Sequence, residues 1–504
     1  MNLISALYNL KSNLKKRRSD YRYSQKLSEF ESILAENPEI DDTEACFKLY
    51  GTKKLSQAYK SLKFRLEEKL INDVFDLCSI EEDTKSSVTA AIHLKKLSVV
   101  SQVLRKNFFE QESVVFIERL LSQSKKQNFA FIALDQLAIL LNLHGFVEPN
   151  KVKFEKTIAD LDYYLEMYMS ELKLKKVYAQ ISHLYVMNKG GLNKKQLQIV
   201  KELVFDVKDF KEKYKSNFFI SFVSDLMYFY YQNIGDYENA LHVAQSTLDE
   251  LSVMEIKDKL GMYQCKKNMA ICHFFLQNYE ESSLYFEEVI EVVTPGTRNW
   301  FNATSLYFLN LINSKSYPAL IELSLKVLSN KNLEKHPYFY EQWKIREAYL
   351  HLLIKLKKIH LTNEQNKTLK PFSIHKFINS VYLPSKDKTG QNITIQVLQI
   401  MFLLLDNKYG KIMDKIESLT QYTYRYLNND ETFRSNCFIR MLVQMVKADF
   451  HPIRTKTYTE SLKKKLDHSR LIIDERSAQV EILPYDFLWN NMMEILEMKK
   501  SLKN

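Results

Sequence analysis

Cys265, Cys272 and His273 are the residues of this chain whose types and spacing first point to chemistry. A helix carries residues seven apart on one face, and thiol and imidazole both bind metals. Zinc sites, however, draw on Cys-x2–4-Cys pairs with a second pair elsewhere, and neither pair is present. Cys272 sits within Met269-Ala270-Ile271-Cys272-His273-Phe274-Phe275, an apolar helical run in which a buried thiol is the ordinary outcome. The reading is a packed cysteine and a packing histidine, with no metal and no cofactor expected. A second candidate is the loop Ser385–Asn392, which precedes a helical pattern. It could gather backbone N–H groups, the Lys386 and Lys388 ammonium groups and Asn392 around an anion, as an enzyme or a small-anion binder would. A polar turn with Asn392 as the N-cap of the next helix explains the same residues without a ligand.

Other chemistries lack their patterns. Nucleotide-binding loops need two or three glycines within about eight residues, and the one adjacent pair, Gly190-Gly191, has no third at the required spacing. No Gly-x-Ser-x-Gly elbow and no His-Glu-x-x-His motif occurs, so the chain reads as non-enzymatic. The basic runs Lys15-Lys16-Arg17-Arg18, Lys463-Lys464-Lys465 and Lys355, Lys357 and Lys358 edge helical patterns, where cations complement the helix dipole. None is interleaved with aromatics as a nucleic-acid platform would be.

The elements that carry these residues follow from composition. There are nine glycines and nine prolines in 504 residues, against averages of about 7% and 5%. Such scarcity disfavours tight hairpins and favours long helices with short polar turns, so the fold class is all-α. Five cysteines, an odd and scattered set, fit reduced thiols and a cytoplasmic location. The longest apolar runs, such as Ile400–Leu405, fall far short of the about 18 residues of a membrane span, and no membrane partner is expected. The net charge is +11 and unevenly placed: residues 201–300 carry 10 basic and 16 acidic side chains, and residues 301–400 carry 14 and 6. Nucleic acid or another polyanion is the alternative partner that such a basic stretch allows, with the chain as a regulatory module.

Periodicity gives an N-terminal helical region over 1–148 with helices at Met1–Lys16, Tyr21–Ala35, Thr43–Tyr50, Leu55–Asp76, Ser86–Lys106 and Glu110–Gln123. Gly145 and Pro149 mark a break, and helices resume over 151–335. A long helix and linker fill 336–370. A C-terminal helical region over 371–504 carries helices at Ile393–Leu405, Tyr409–Leu427, Glu431–Asp449, Thr457–Asp467 and Pro484–Lys500.

Within 151–335, clearest over 217–335, a phrase recurs: Gly235-Asp236-Tyr237, Asn278-Tyr279 and Ser316-Tyr317-Pro318. Each phrase joins two apolar helical patterns, which marks a repeated helical hairpin. The residues around it, Met227, Tyr231, Gly235, Tyr237, Ala240 and Ala244 in one unit and Met269, Ala270, Tyr279, Ser282 and Phe286 in the next, resemble the tetratricopeptide repeat. A third unit departs from the pattern at Phe308 and Pro318. The resemblance implies a right-handed α-solenoid of antiparallel hairpins whose first helices line a groove for a protein or peptide. Carried over by position, the groove residues are Phe222, Asp225, Phe229, Gln232 and Asn233 in the first unit. They are Gln264, Lys267, Asn268 and Phe275 in the second, and Asn302, Ser305 and Asn313 in the third. Amides among exposed aromatics suit an extended peptide. The stretch Phe372–Asn392 resembles functionally uncharacterised bacterial repeat proteins, which implies a bacterial cytoplasmic origin and carries no activity with it.

Overall fold

The computed structural model describes residues 25–38, 40–77, 87–106, 110–188, 192–255, 257–369, 371–374, 376–377, 391–426, 433–469 and 480–501. Among them every regular element is helical and no strand occurs. The chain divides into two compact units. One takes the described residues up to Met169 with those of 255–258, and the other takes Ser170–Met254 with the described residues from Lys259 onward. The division falls within a helix, 20 residues beyond the break expected at Gly145-Pro149. That break is bridged by a π-helical turn, Leu143–Val147, which continues one helix almost to the start of the next.

The first unit holds α1 (Gln25–Glu36), α2 (Asp42–Tyr50), α3 (Gln57–Leu77), α4 (Ser87–Lys106), α5 (Glu110–Lys126), α6 (Ala130–Asn142) and the part of α7 (Lys151–Met187) up to Met169. Phe30, Leu34, Cys46, Tyr59, Leu66 and Leu70 form the core of α1–α3. Asp41 caps α2 through the Glu44 N–H, and Gly51 ends it in the left-handed region. The expectation that no apolar run reaches 18 residues is corrected here, because Ala130–Val147 is long and apolar enough to span a membrane by length and composition. Its packing is that of a helix within a bundle. Asp135, inside that stretch, accepts hydrogen bonds from Ser98 and from Gln102 (3.3 Å) of α4, and buried His144 meets Thr157 Oγ1 at 3.1 Å.

The second unit continues with α8 (Lys194–Phe205), α9 (Phe210–Tyr214), α10 (Asn217–Asn233), α11 (Tyr237–Val253), α12 (Lys259–Phe275), α13 (Tyr279–Val292), α14 (Arg298–Asn313), α15 (Tyr317–Leu328) and α16 (Pro337–Lys355). After the short α17 (Asn363–Thr368) come α18 (Gln391–Leu405), α19 (Tyr409–Tyr426), α20 (Phe433–Lys447), α21 (Pro452–His468) and α22 (Tyr485–Ser501). Consecutive helices from α10 to α16 pack against each other, and so do those from α18 to α21. A single apolar core runs from Ala270 on α12 to Leu496 on α22, around Trp300, Phe308, Trp343, Tyr349 and Phe438.

One local device builds this repetition. At Gly235, Gln277, Lys315, Lys357, Asn407 and Asp449 the backbone enters the left-handed region, with φ between 56 and 75°. At each, the N–H of the following residue bonds the carbonyl five residues back: Asp236 to Tyr231, Asn278 to His273, Ser316 to Leu311, Lys358 to Leu353, Lys408 to Leu403 and Phe450 to Met445. This is the Schellman turn, which satisfies carbonyls that a helix end leaves open. The turn residues stand 42, 38, 42, 50 and 42 apart, so the repeat continues well past the three phrases visible in the sequence. Tyr237 packs on Phe275 and Tyr409 on Phe450, each ring reaching the end of the first helix of the following pair. Pro318 fits because it lies in the first turn of α15, where a missing N–H costs nothing.

Helix α22 lies against α18, α20 and α21. Arg434 on α20 and Glu481 just before α22 join there. Arg434 Nε and Nη2 donate to the two Glu481 oxygens at 2.9 and 2.7 Å, and Nη1 reaches the Leu466 and Ser469 carbonyls at 3.0 and 2.8 Å. Asn392 falls inside α18, which begins at Gln391, and is therefore a first-turn residue where an N-cap was expected. Lys386 and Lys388 of the proposed anion loop lie outside the described residues, as do Gly190-Gly191, Cys78 and the helix expected at Met1–Lys16.

Candidate partner-binding face

The first helices of successive pairs, α10, α12, α14 and α16, touch one another in order. They present one face of the second unit, and the predicted groove positions belong to α10, α12 and α14. Capping fixes where each helix starts: Ser216 accepts the Phe219 N–H ahead of α10, and Thr297 accepts the Trp300 N–H ahead of α14.

The aromatic positions on this face are engaged internally. Phe222 meets Tyr178 edge-on at 5.4 Å and Phe229 meets Tyr185 edge-on at 5.3 Å, both tyrosines coming from α7. Phe275 packs on Tyr237 at 4.4 Å. The expectation of open ring pockets at Phe222, Phe229 and Phe275 is therefore corrected: these rings join α7 to α10 and one helix pair to the next. Asn268 and Ser305 are buried, at 4% and 7% exposure, and are corrected from contact residues to interior ones. Asn268 accepts a hydrogen bond from Gln264 at 3.0 Å.

Asn233 and Asn313 share a different role. Each amide donates to the carbonyl one turn back on its own helix, Phe229 O and Leu309 O, both at 2.8 Å. Asparagine ahead of a left-handed turn residue is the readable signal for that bond. Polar side chains that reach the surface of this face are Asp225, Gln232 and Lys267, which are half-buried, and Asn302, which is exposed. Lys266 turns the other way to pair with Glu288 on α13, which leaves Lys267 on the face of the first helices. Between α10, α11 and α12 a cleft of about 20 Å³ is lined by Asp225, Ser224, Tyr228, Thr247 and Asn268. That is room for about one water, so the face offers a surface and no enclosed small-molecule pocket at this point.

Cys272 is fully buried and burial pushes its thiol up to about 12, far from the thiolate that reactivity needs. His273 stacks on Tyr285 with rings 5.6 Å apart, and burial lowers its pKa. Among the described residues no group of three His, Cys, Asp or Glu side chains is placed to hold a metal. The basic runs are partly neutralised: Lys355 pairs with Asp406 at 2.7 Å, Lys358 with Glu494 at 3.5 Å, Lys464 with Glu460 at 2.9 Å and Lys463 with Asp467.

Sequence reasoning passed over Arg346 on α16. Its side chain is 2% exposed, it runs back along its own helix to Gln342, and it reaches Ser305 O on α14 at 3.4 Å. Phe308 and Trp343 flank the guanidinium, each ring centre 5.8 Å away. No carboxylate pairs with it among the described residues, and burial pulls its pKa down to about 10, where it stays charged at neutral pH. Comparison with family models, with curated proteins and with solved structures finds no match to this chain.

Proposed function

We propose that the second unit is a right-handed α-solenoid of tetratricopeptide-repeat-like hairpins that binds a protein or peptide, without enzymatic activity, across the concave face of its first helices. The observation that supports this reading is the ordered contact of α10, α12, α14 and α16, the first three of which carry Asp225, Gln232, Lys267 and Asn302. A face held by packed helices and uniform turns is preorganised, so a partner meets polar groups at fixed spacing with little ordering entropy to lose. The internal engagement of Phe222, Phe229 and Phe275 shifts recognition away from ring pockets and onto these polar groups.

Photo-crosslinking side chains placed at Gln232, Lys267 and Asn302 test the reading, with controls at Asn239 and Glu280, which are exposed on α11 and α13. Crosslinks to polypeptide in the producing cell are expected from the first set only. Equal yields from both sets would overturn the reading.

A further inference from the structure

The cleft between α10, α11 and α12 is lined by side-chain oxygens of Ser221, Ser224, Asp225, Tyr228, Thr247 and Asn268, and Asp225 is the one charged residue of the lining. Exposure tells its mouth from its floor. Ser221 and Asp225 on α10 and Gly261 on α12 are partly exposed, whereas Ser224, Thr247 and Asn268 are buried. The mouth therefore opens between α10 and α12, on the face of the first helices, and α11 closes the floor at Val243, Ala244 and Thr247. Gly261, in the first turn of α12, leaves its side of the mouth without a side chain.

The buried oxygens have capacity to accept. Ser224 Oγ, on a residue 4% exposed, has no hydrogen-bond partner. Thr247 Oγ1 spends its hydrogen on Val243 O at 2.6 Å and keeps its lone pairs. Asn268 Oδ1 accepts one bond, from Gln264 at 3.0 Å, and has a second lone pair. Natural interiors pair the great majority of such atoms, so an oxygen-rich cleft with an orphan hydroxyl calls for an occupant. That occupant must donate several hydrogens, carry positive charge to suit Asp225, and be no larger than about one water. A primary ammonium head has three hydrogens, one positive charge and about that bulk, while the planar guanidinium with its five N–H groups is too wide.

We propose that this cleft receives a primary ammonium group of the bound partner, a lysine side chain or a free N-terminus, which donates to Ser224 Oγ, Thr247 Oγ1 and Asn268 Oδ1 beside the Asp225 carboxylate. The carbon stem leaves through the mouth at Gly261. The proposal rests on the reading of this face as peptide-binding and gives the partner its chemistry.

Thermal unfolding of the full chain in methylammonium chloride, against tetramethylammonium chloride and potassium chloride at equal ionic strength, reads the cleft alone. In 100 mM methylammonium the wild-type Tm is expected to rise by about 1–2 °C over tetramethylammonium, which is too bulky to enter. Asp225→Asn keeps the shape without the charge and should abolish the response. Ser224→Ala removes a hydroxyl that the fold leaves unbonded, so it should fold as wild type does and weaken methylammonium binding about fivefold. Polarisation with labelled random octapeptide pools carrying lysine, acetyl-lysine or arginine, each with a free or an acetylated N-terminus, then reads the cleft and the face together. It also separates a lysine from an N-terminal amine. Amine-bearing pools are expected to bind wild type about tenfold more tightly than the fully acetylated pool, and Asp225→Asn should remove the difference. A methylammonium response that is absent, equal in wild type and Asp225→Asn, or smaller than the response to potassium would each overturn the ammonium site. So would equal binding of amine-bearing and fully acetylated pools, or an N-acetylated arginine pool that binds as tightly as the lysine pool. A methylammonium response confined to wild type without any peptide binding would overturn the peptide-binding face while leaving the cleft as an ammonium site.

Discussion

The end of the second unit around α18–α22 and its middle around α14–α16 are made from the same turn, and both place an arginine inside. At the end, Arg434 finds Glu481 and two backbone carbonyls, and α20, α21 and α22 are tied through one side chain. In the middle, Arg346 has Gln342, one distant carbonyl and two aromatic rings. The difference separates two uses of a buried cation. One is a structural joint that draws its anion from the same chain, and the other is held by an amide, backbone carbonyls and aromatic rings with no carboxylate among the described residues.

The largest effect that can break this comparison is at the joint. Glu481→Ala should cost about 3 kcal/mol in chemical denaturation, because it leaves the buried Arg434 with only the longer ion pair to Asp486, at 3.7 Å. A cost below about 1 kcal/mol would mean that Arg434 tolerates the state assigned to Arg346, and the contrast would fail. Glu171 on α7 tests the rule with the opposite charge. Burial raises its carboxyl to about 7 against the pull of Lys175, so the folded state binds this proton more tightly than the unfolded chain does. The associated stability is complete below about pH 4.5 and is lost as pH rises through about 7. Glu171→Gln should therefore gain about 1–2 kcal/mol over wild type at pH 8 and nothing near pH 4, read from denaturation midpoints across that range.

The turns sharpen the comparison from the other side, because both regions use them. Lys315→Gly and Lys357→Gly, in the middle, should each stabilise by about 0.5–1 kcal/mol by removing a side chain from the left-handed region. Asn407→Gly, between α18 and α19, should gain less, about 0.3 kcal/mol, since asparagine visits that region more readily. Midpoint shifts in denaturant order the three. Equal gains at all three would show that residue identity at the turn is immaterial.

Much of the fold was legible because helix periodicity and turn chemistry are local. The helices expected at Ser86–Lys106 and Ile393–Leu405 differ by one or two residues from the observed Ser87–Lys106 and Gln391–Leu405. The repeat was legible at Gly235, where glycine announces the left-handed residue, and at Tyr279 and Tyr317, where an aromatic follows it. It faded at Lys357 and Asp449, where the turn residue is charged and Ile359 or His451 stands two places on. At Asn407 the following Tyr409 keeps the signal, but it stands 50 residues beyond Lys357, outside the spacing of 38–42 that links the other turns. The face was less legible because its occupancy is set across the chain. Nothing near Phe222 or Phe229 announces that Tyr178 and Tyr185, 44 residues earlier, close over them. Arg346 gave no signal at all, since a lone arginine in a helical run reads as a solvated side chain until its neighbours are known.

Helix α22 buries Leu488, Trp489, Met492, Ile495 and Leu496 against its neighbours and turns Asn490, Glu494 and Glu497 outward. A structure assembled from near-identical steps has an intrinsic capacity for addition, because whatever accepts one step also accepts the corresponding step of another molecule. The outer side of α22, polar at Asn490, Glu494 and Glu497 though apolar at the exposed Met498, withdraws that invitation. A chain cut before Tyr485 would expose the apolar surfaces of α18, α20 and α21 and is expected to grow into open-ended polymers, visible as concentration-dependent light scattering. On this view the Arg434–Glu481 fork secures more than a helix: by pinning the entry to α22, it keeps the apolar surfaces of α18, α20 and α21 covered.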